Sequence, residues 1–176
     1  MALALRSHCP DFDLVGTDGN THSIGTFTEA TLLVVIVSCN HCPYVMAYEE
    51  RIVGLSREYG PKGVGFLAVN ANDAVRYPDD GMAAMTRRAK ERGFDFPYVR
   101  DDPQAFVRAL GARFTPEVFV FDEPRSLRYH GRIDDNHRDV KAVTTHDLKN
   151  ALDALLAGGE PTVTETTPFG CSVKWK

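Results

Sequence analysis

The chain has 176 residues, of which 43% are hydrophobic, and this size and composition suit one domain with its own core. Its 20 lysine and arginine residues are offset by 24 aspartate and glutamate residues, and the formal net charge of -4 argues against nucleic acid or anionic membrane as a partner. Apolar runs are too short for a membrane span, and the N-terminus lacks the pattern of a secretory signal, so we expect a cytoplasmic protein.

Buried-strand patterns alternate with helical patterns along the chain. The sequence first predicts a hairpin over 11–24 that turns at 17–20, and then strands at 31–37, 64–69 and 97–100 that alternate with helices at 43–59, 82–92 and 103–110. Pro103 takes the first position of the third helix. Two strands follow, at 117–122 and 126–133, joined by a turn at 123–125, and then a helix at 147–157 that Thr144 precedes at capping-box spacing.

This order predicts an α/β fold in which helices flank a central mixed sheet. The hairpin, within residues 1–25, is a small N-terminal extension of a single domain over 1–158. The tail, residues 159–176, contains Phe169 and the lone tryptophan, Trp175. It is too apolar for a disordered end, and we expect it to pack back onto the domain.

The strongest chemical signal is Cys39-Asn40-His41-Cys42, located where a buried strand gives way to a helix. Two cysteines three residues apart on a helix share one face and can form a disulfide after a small adjustment. The helix N-terminus favours an anion, so we expect Cys39 to be the thiolate nucleophile. Cys42, one turn deeper, should be less exposed and less acidic, which suits a thiol that resolves a mixed disulfide.

We assign His41 and its neighbour Asn40 to tuning the pair, because an imidazolium between the cysteines favours the thiolate. The expected reduction potential lies between about −270 and about −180 mV. A solvated histidine with no such role is an equally open interpretation. A zinc site is the usual competitor for this spacing, but Cys9 and Cys171 are isolated, so the sequence predicts neither a metal nor another cofactor.

Four segments carry a resemblance to a known family: PDF at 10–12, CNHCP at 39–43, FTPEVFVFD at 114–122 and YHGRIDDN at 129–136. The chain resembles the thioredoxin superfamily, specifically the redoxin branch related to thiol-specific antioxidant proteins. The resemblance implies a thioredoxin-like fold in which Pro116 is cis. It also implies that the Thr115 backbone pairs with an extended substrate segment next to Cys39.

The sequence departs from that family at three places. Ser38 stands where thioredoxins carry tryptophan, and the strand TLLVVIV lacks their buried acid. Three residues that follow the second buried strand are candidates for the missing proton-transfer group: Asn70, Asn72 and Asp73. We choose Asp73 among them, and a solvated loop acid with no such role is the simpler interpretation of this residue. Leu32 and Ile36 occupy the proline and threonine positions of a peroxidatic motif, which disfavours peroxidase activity.

The two remaining cysteines are interpreted separately. Cys9 is expected to be a small buried hydrophobic residue. Cys171, in the apolar tail, is either a third redox thiol that relays with Cys39 or Cys42, or a thiol packed in the docking surface of the tail. We favour the second interpretation, because the path of an irregular segment cannot be predicted from sequence.

These features predict a thiol–disulfide oxidoreductase that acts on a disulfide-containing protein substrate and is served by an electron-donating thiol system. One alternative is a thiol-dependent peroxidase. Another is a non-catalytic thioredoxin-like module that binds a partner or a metal through the same loop.

Overall fold

A computed structural model describes residues 2–176. Seven strands form the central sheet, in the order β2-β1-β5-β4-β3-β7-β8. Their bounds are Asp13–Gly16 (β1), Thr21–Ser23 (β2), Leu32–Val37 (β3), Val64–Asn70 (β4), Tyr98–Arg100 (β5), Glu117–Phe121 (β7) and Leu127–Gly131 (β8). A separate two-stranded sheet joins β6 (Phe114–Thr115) to β9 (Cys171–Ser172), and the helices are α1 (Pro43–Tyr59), α2 (Met82–Arg92), α3 (Ala105–Leu110) and α4 (Asp147–Leu156).

The pairing of the strands confirms the predicted mixed sheet. Strand β3 runs parallel to β4 and antiparallel to β7, and β4 runs parallel to β5. The predicted N-terminal hairpin is β1 and β2, and β1 attaches it to the edge of β5. Since parallel strands end at the same edge, the loops after β3 and β4 lie side by side.

Strand β3 is buried on both faces, as its unbroken aliphatic sequence predicts. Leu32, Val34 and Ile36 pack on one face with residues of α1, α2 and α4. The alternate residues Leu33 and Val35 pack on the other face with α3 and the N-terminal hairpin. The strand is therefore clamped between two apolar layers, which fixes the position of the loop that follows Val37.

One predicted helix start and one predicted helix cap are wrong. Helix α3 begins at Ala105 rather than Pro103, because the Asp101 carboxylate accepts hydrogen bonds from the backbone N–H groups of Ala105 and Val107, at 3.2 and 2.9 Å. Helix α4 begins at Asp147, and Thr144 does not cap it. The hydroxyl and backbone N–H of Thr144 donate instead to the Asp135 carboxylate, which holds Thr144 in the preceding loop.

A buried ion pair joins α1 to α2. Glu49 on α1 is only 3% exposed and accepts two hydrogen bonds from the guanidinium of Arg88, at 2.8 and 2.7 Å. The bidentate geometry satisfies both carboxylate oxygens, which is the condition for burying such a charge. No helix within residues 2–176 is both long enough and apolar enough to span a membrane.

Candidate active site

Cys39 and Cys42 lie in the loop between β3 and α1, where the sequence predicts them. Both are buried free thiols, with 1% and 0% of their surface exposed. Helix α1 begins at Pro43, so Cys42 is its N-cap residue and Cys39 precedes the helix. The proline suits this first position because the N–H that it lacks has no acceptor within the helix.

The start of α1 changes the expected distribution of charge between the two thiols. A hydrogen bond from Cys39, assisted by the Cys171 thiol and the Val45 backbone N–H, lowers the pKa of Cys42 well below its usual value. The same Cys39–Cys42 hydrogen bond, followed by burial and by the charge of Asp80, raises the pKa of Cys39. The helix N-terminus thus favours a thiolate at Cys42, whereas the sequence predicted one at Cys39.

One contact opposes the thiolate at Cys42. Its Sγ lies 3.1 Å from the carbonyl oxygen of Thr115, an acceptor that favours the protonated thiol. The donors from Cys39, Val45 and Cys171 act against this single carbonyl. We therefore place the lower pKa of the pair on Cys42.

A buried carboxylate lies beside Cys39, and the sequence did not indicate it. Asp80 is 0% exposed and accepts hydrogen bonds from the Asn40 backbone N–H at 2.6 Å and from the side-chain amides of Asn70 and Asn72 at 3.1 and 2.9 Å. These neutral donors stabilise the buried charge without cancelling it. Asp80 thus supplies the buried acid that β3 lacks.

Asn40 fixes the loop rather than touching a cysteine sulfur. Its side-chain amide donates to the carbonyl of Asp79 at 2.7 Å, and its side-chain oxygen accepts from the buried Tyr98 hydroxyl at 2.9 Å. Together with the bond from its backbone N–H to Asp80, these contacts hold the loop after β3 against the loop after β4. Asn40 therefore positions Asp80 beside the cysteines, and its predicted tuning of the pair stays a prediction.

His41 joins the same group. Its Nδ1 lies 2.5 Å from an Asp80 carboxylate oxygen, and its ring stacks on Tyr77 with the centroids 5.1 Å apart. One ligand atom each from Cys39, His41 and Asp80 lie within 4.8 Å of one another, a set of donor types that zinc accepts. Two zinc ligands about 2.0–2.2 Å from the metal lie more than 3 Å apart at tetrahedral angles. The 2.5 Å contact of His41 with Asp80 is too short for both to bind one ion, and it holds the imidazole directly against the carboxylate.

Thr115 and Pro116 lie on the other side of the cysteines, and the bond between them is cis, as the resemblance implies. The Thr115 hydroxyl oxygen is 3.4 Å from Cys39 Sγ. The backbone of Thr115 is already paired, however: it opposes Cys171 in the antiparallel β6–β9 ladder. The edge to which the resemblance assigns a substrate segment is filled by the tail of the same chain.

Cys171 belongs to this site as well. Its Sγ lies 2.7 Å from Cys42 Sγ, so the tail brings a third thiol into contact with the pair. Burial, followed by the hydrogen bond with Cys42, raises the pKa of Cys171 to about 11. Unlike Cys39 and Cys42, Cys171 is only partly buried.

The remaining predicted residues make their contacts outside this group. The Asp73 carboxylate accepts the Val75 backbone N–H at 3.0 Å and faces Arg76 at 3.4 Å, so it organises its own loop. The acid beside the cysteines is Asp80 instead. Cys9 is buried in the second core layer, and burial raises its pKa to about 12.

Comparisons with known proteins place the chain in a family. The Redoxin family model matches residues 5–152, which is most of the chain. A search of curated proteins found no match. The chain is similar to two solved structures over nearly its whole length. One is an uncharacterized conserved protein from Geobacillus kaustophilus, with 36% identity, a TM-score of 0.93 and coverage of 98% of this chain and 93% of the other.

The second is a hypothetical protein from Sinorhizobium meliloti 1021, with 33% identity, a TM-score of 0.94 and coverage of 100% and 97% of the two chains. A more distant likeness, to a putative thiol:disulfide interchange protein DsbE from Chlorobium tepidum, has 18% identity and a TM-score of 0.62, and covers 73% of this chain and 85% of that one. This distant likeness supports the thioredoxin-like fold alone.

Proposed function

The chain belongs to the Redoxin family, whose members have a thioredoxin-like fold, and on this premise we propose that it is a thiol–disulfide oxidoreductase whose redox pair is Cys39 and Cys42. One observation carries the proposal. The two buried thiols pack in one cluster at the strand–helix junction, and a buried carboxylate, Asp80, lies beside the first of them. Two cysteines that only fill space in a core need no buried carboxylate within 4.8 Å of a sulfur, whereas a reactive thiol does.

The geometry supports Cys39 as the attacking thiol for a reason other than helix-dipole acidity. Asp80 and His41 lie next to Cys39 and can accept its proton as its sulfur attacks a substrate disulfide. The attack forms a mixed disulfide with Cys39 and releases one substrate thiolate. Cys42 then attacks Cys39 Sγ, which forms the Cys39–Cys42 disulfide and releases the second substrate thiolate.

The proposal includes the partners that such a cycle needs. A disulfide in a protein partner accepts the electrons, and a thiol system returns them, in the cytoplasm. An extended substrate segment would pair with the Thr115 backbone, and to do so it must displace the tail from β6. This requirement favours flexible substrate segments over rigid surfaces.

Reduction of insulin disulfides by the purified protein, with a dithiol as electron donor, tests the proposal. Cys39→Ser should abolish turnover, and Cys42→Ser should accumulate a mixed disulfide through Cys39. Cys9→Ser is the matched control, because Cys9 is buried elsewhere in the core and should leave turnover unchanged. Retained activity in Cys39→Ser, or bound zinc with no turnover in the wild type, would overturn the proposal.

One observation favours a second candidate, reduction of small hydroperoxides. The hydroxyl that Ile36 cannot supply is present in Thr115, 3.4 Å from Cys39 Sγ, and the buried thiols are easier to reach for a small oxidant than for a protein. Hydroperoxide turnover with a dithiol donor, lost in Thr115→Val, supports this activity. Turnover that is equal in wild type and Thr115→Val removes the argument for it.

A further inference from the structure

The tail approaches the redox pair as a substrate segment would. Strand β9 pairs antiparallel with β6 so that Cys171 opposes Thr115, and its Sγ reaches to 2.7 Å from Cys42 Sγ. The Thr115 hydroxyl also lies 3.4 Å from the Cys171 carbonyl oxygen. A cysteine on an extended strand is thus held against the pair by backbone pairing, which is the arrangement that disulfide exchange needs.

The close approach depends on the residue before Cys171. A Cβ added to Gly170 would lie 2.2 Å from the Thr115 carbonyl oxygen, so only glycine fits there without moving the tail. Beyond the cysteine, the Val173 backbone N–H donates to the Arg113 carbonyl at 3.0 Å. The Arg108 guanidinium then stacks on the Trp175 ring at 4.3 Å, so contacts on both sides of Cys171 fix its position.

We propose that Cys171 is a third redox thiol, which exchanges with the Cys39–Cys42 disulfide to form a Cys42–Cys171 disulfide, and that an external dithiol reduces the protein at Cys171. This proposal rests on the function proposed above. It assigns the tail a chemical role and identifies Cys42, rather than Cys39, as the sulfur that the tail attacks.

The exchange is balanced within the chain. Cys171 loses its proton and its sulfur attacks Cys42 Sγ, so the Cys42–Cys171 bond forms, the Cys39–Cys42 bond breaks and the electron pair leaves on Cys39. Cys39 takes up a proton through the neighbouring Asp80 and His41, and no net oxidation occurs. Before the exchange the disulfide joins two buried sulfurs, and after it the disulfide joins the buried Cys42 sulfur to the partly exposed Cys171 sulfur.

Access explains why such a transfer is useful. An external thiolate cannot reach Cys39 or Cys42 while the tail is docked, since they are 1% and 0% exposed. It can attack Cys171 Sγ, with Cys42 leaving as a thiolate that the Val45 backbone N–H stabilises. The second thiol of the donor then releases Cys171. The donor dithiol ends as a disulfide, and Cys39, Cys42 and Cys171 all end as thiols.

Disulfide mapping after limited oxidation tests the proposal. Cys171 lies in the tryptic peptide 150–174, whereas Cys39 and Cys42 lie in peptide 7–51. A Cys42–Cys171 disulfide therefore links two peptides, but a Cys39–Cys42 disulfide stays within one. Both proteins compared carry Cys9→Ser, because Cys9 lies in the same peptide as Cys39 and Cys42. With no other change, the protein should yield the linked peptides, with Cys171 bonded to Cys42. Adding Cys39→Ser should increase the amount of the linked peptides.

The rate of re-reduction by dithiothreitol gives the second readout. We expect oxidised Cys171→Ser to be reduced at least tenfold more slowly than oxidised wild type, and Ser172→Ala, its exposed neighbour, to match wild type. Cys39→Ser keeps the sulfurs of both Cys42 and Cys171, so it tests the Cys42–Cys171 disulfide even if Cys171→Ser fails to fold. A Cys39–Cys42 disulfide that forms without any linked peptides would overturn the relay and leave the proposed function standing. If no disulfide forms at all, the proposed function fails.

Discussion

Replacing Asp80 with asparagine removes one negative charge beside Cys39 while keeping the size of the side chain. After the hydrogen bond with Cys42 and burial, the charge of Asp80 contributes to the raised pKa of Cys39. For two unit charges 4.8 Å apart, the outer limit of the Cys39–Asp80 separation, Coulomb's law gives about 3.5 kcal/mol at an effective dielectric constant of about 20. That energy corresponds to a fall of about 2.5 in the pKa of Cys39.

The Cβ chemical shift of Cys39, followed by NMR across a pH series, measures this change and needs no reagent to reach the buried thiol. The midpoint of the profile should move to lower pH by about two units in Asp80→Asn. Asp79→Asn is the matched control, because the Asp79 side chain is exposed and should leave the midpoint unchanged. A midpoint that stays in place, or moves to higher pH, in a folded Asp80→Asn protein would refute the assignment of Asp80.

Three further predictions follow from buried groups. Arg88→Ala leaves the buried Glu49 carboxylate with one remaining arginine, Arg92, at 3.2 Å, so the free energy of unfolding measured in urea should fall by about 3 kcal/mol. The control is Arg87→Ala, because Arg87 is exposed. A loss below about 1 kcal/mol in Arg88→Ala, or an equal loss in the control, contradicts this prediction. Because burial raises the pKa of Cys9 to about 12, Cys9 should resist alkylation at pH 8 until the protein is unfolded, and labelling of Cys9 in the folded protein disproves this expectation. Because the pKa of Cys42 is lowered, the folded protein should keep one equivalent of thiolate absorbance at 240 nm at pH 7, and Cys42→Ser should remove it. The stability that this thiolate contributes is present above the usual cysteine pKa of about 8.5 and is lost as the pH falls through the lowered value.

Much of the fold could be predicted because its signals are local. The aliphatic run of β3 and the helix over Pro43–Tyr59 each occupy one continuous stretch of sequence, and the structure has them where the pattern predicts. The wrong helix start and the wrong helix cap share a cause. At Pro103 and Thr144 the competing partners are the carboxylates of Asp101 and Asp135, whose roles depend on loop geometry.

The parts of the site that sequence could not predict are those assembled across long distances in the chain. Asp80 looks like a solvated loop acid between Asp79 and Gly81, yet the turn at Pro78–Asp80 directs it inward onto Asn70 and Asn72. Its only available signal was an excess of polar residues after β4, which led to Asp73 instead.

Cys171 lies 129 residues from Cys42, and nothing local in an irregular tail predicts where it docks. The glycine before Cys171 was the one usable hint of a close backbone approach. This distance is also why the sequence favoured a packed thiol over a relay, whereas the 2.7 Å contact with Cys42 now supports the relay that we propose.

The reduction potential of the Cys39–Cys42 pair tests the central claim most directly. The protein is equilibrated with glutathione or dithiothreitol buffers of defined potential, and its free thiols are counted by mass tagging. The protein, which has four cysteines, should lose two thiols together in one two-electron transition between about −270 and about −180 mV, and Cys42→Ser should abolish it. Four thiols that remain at every potential, or a transition that persists unchanged in Cys42→Ser, would contradict a redox pair at this site.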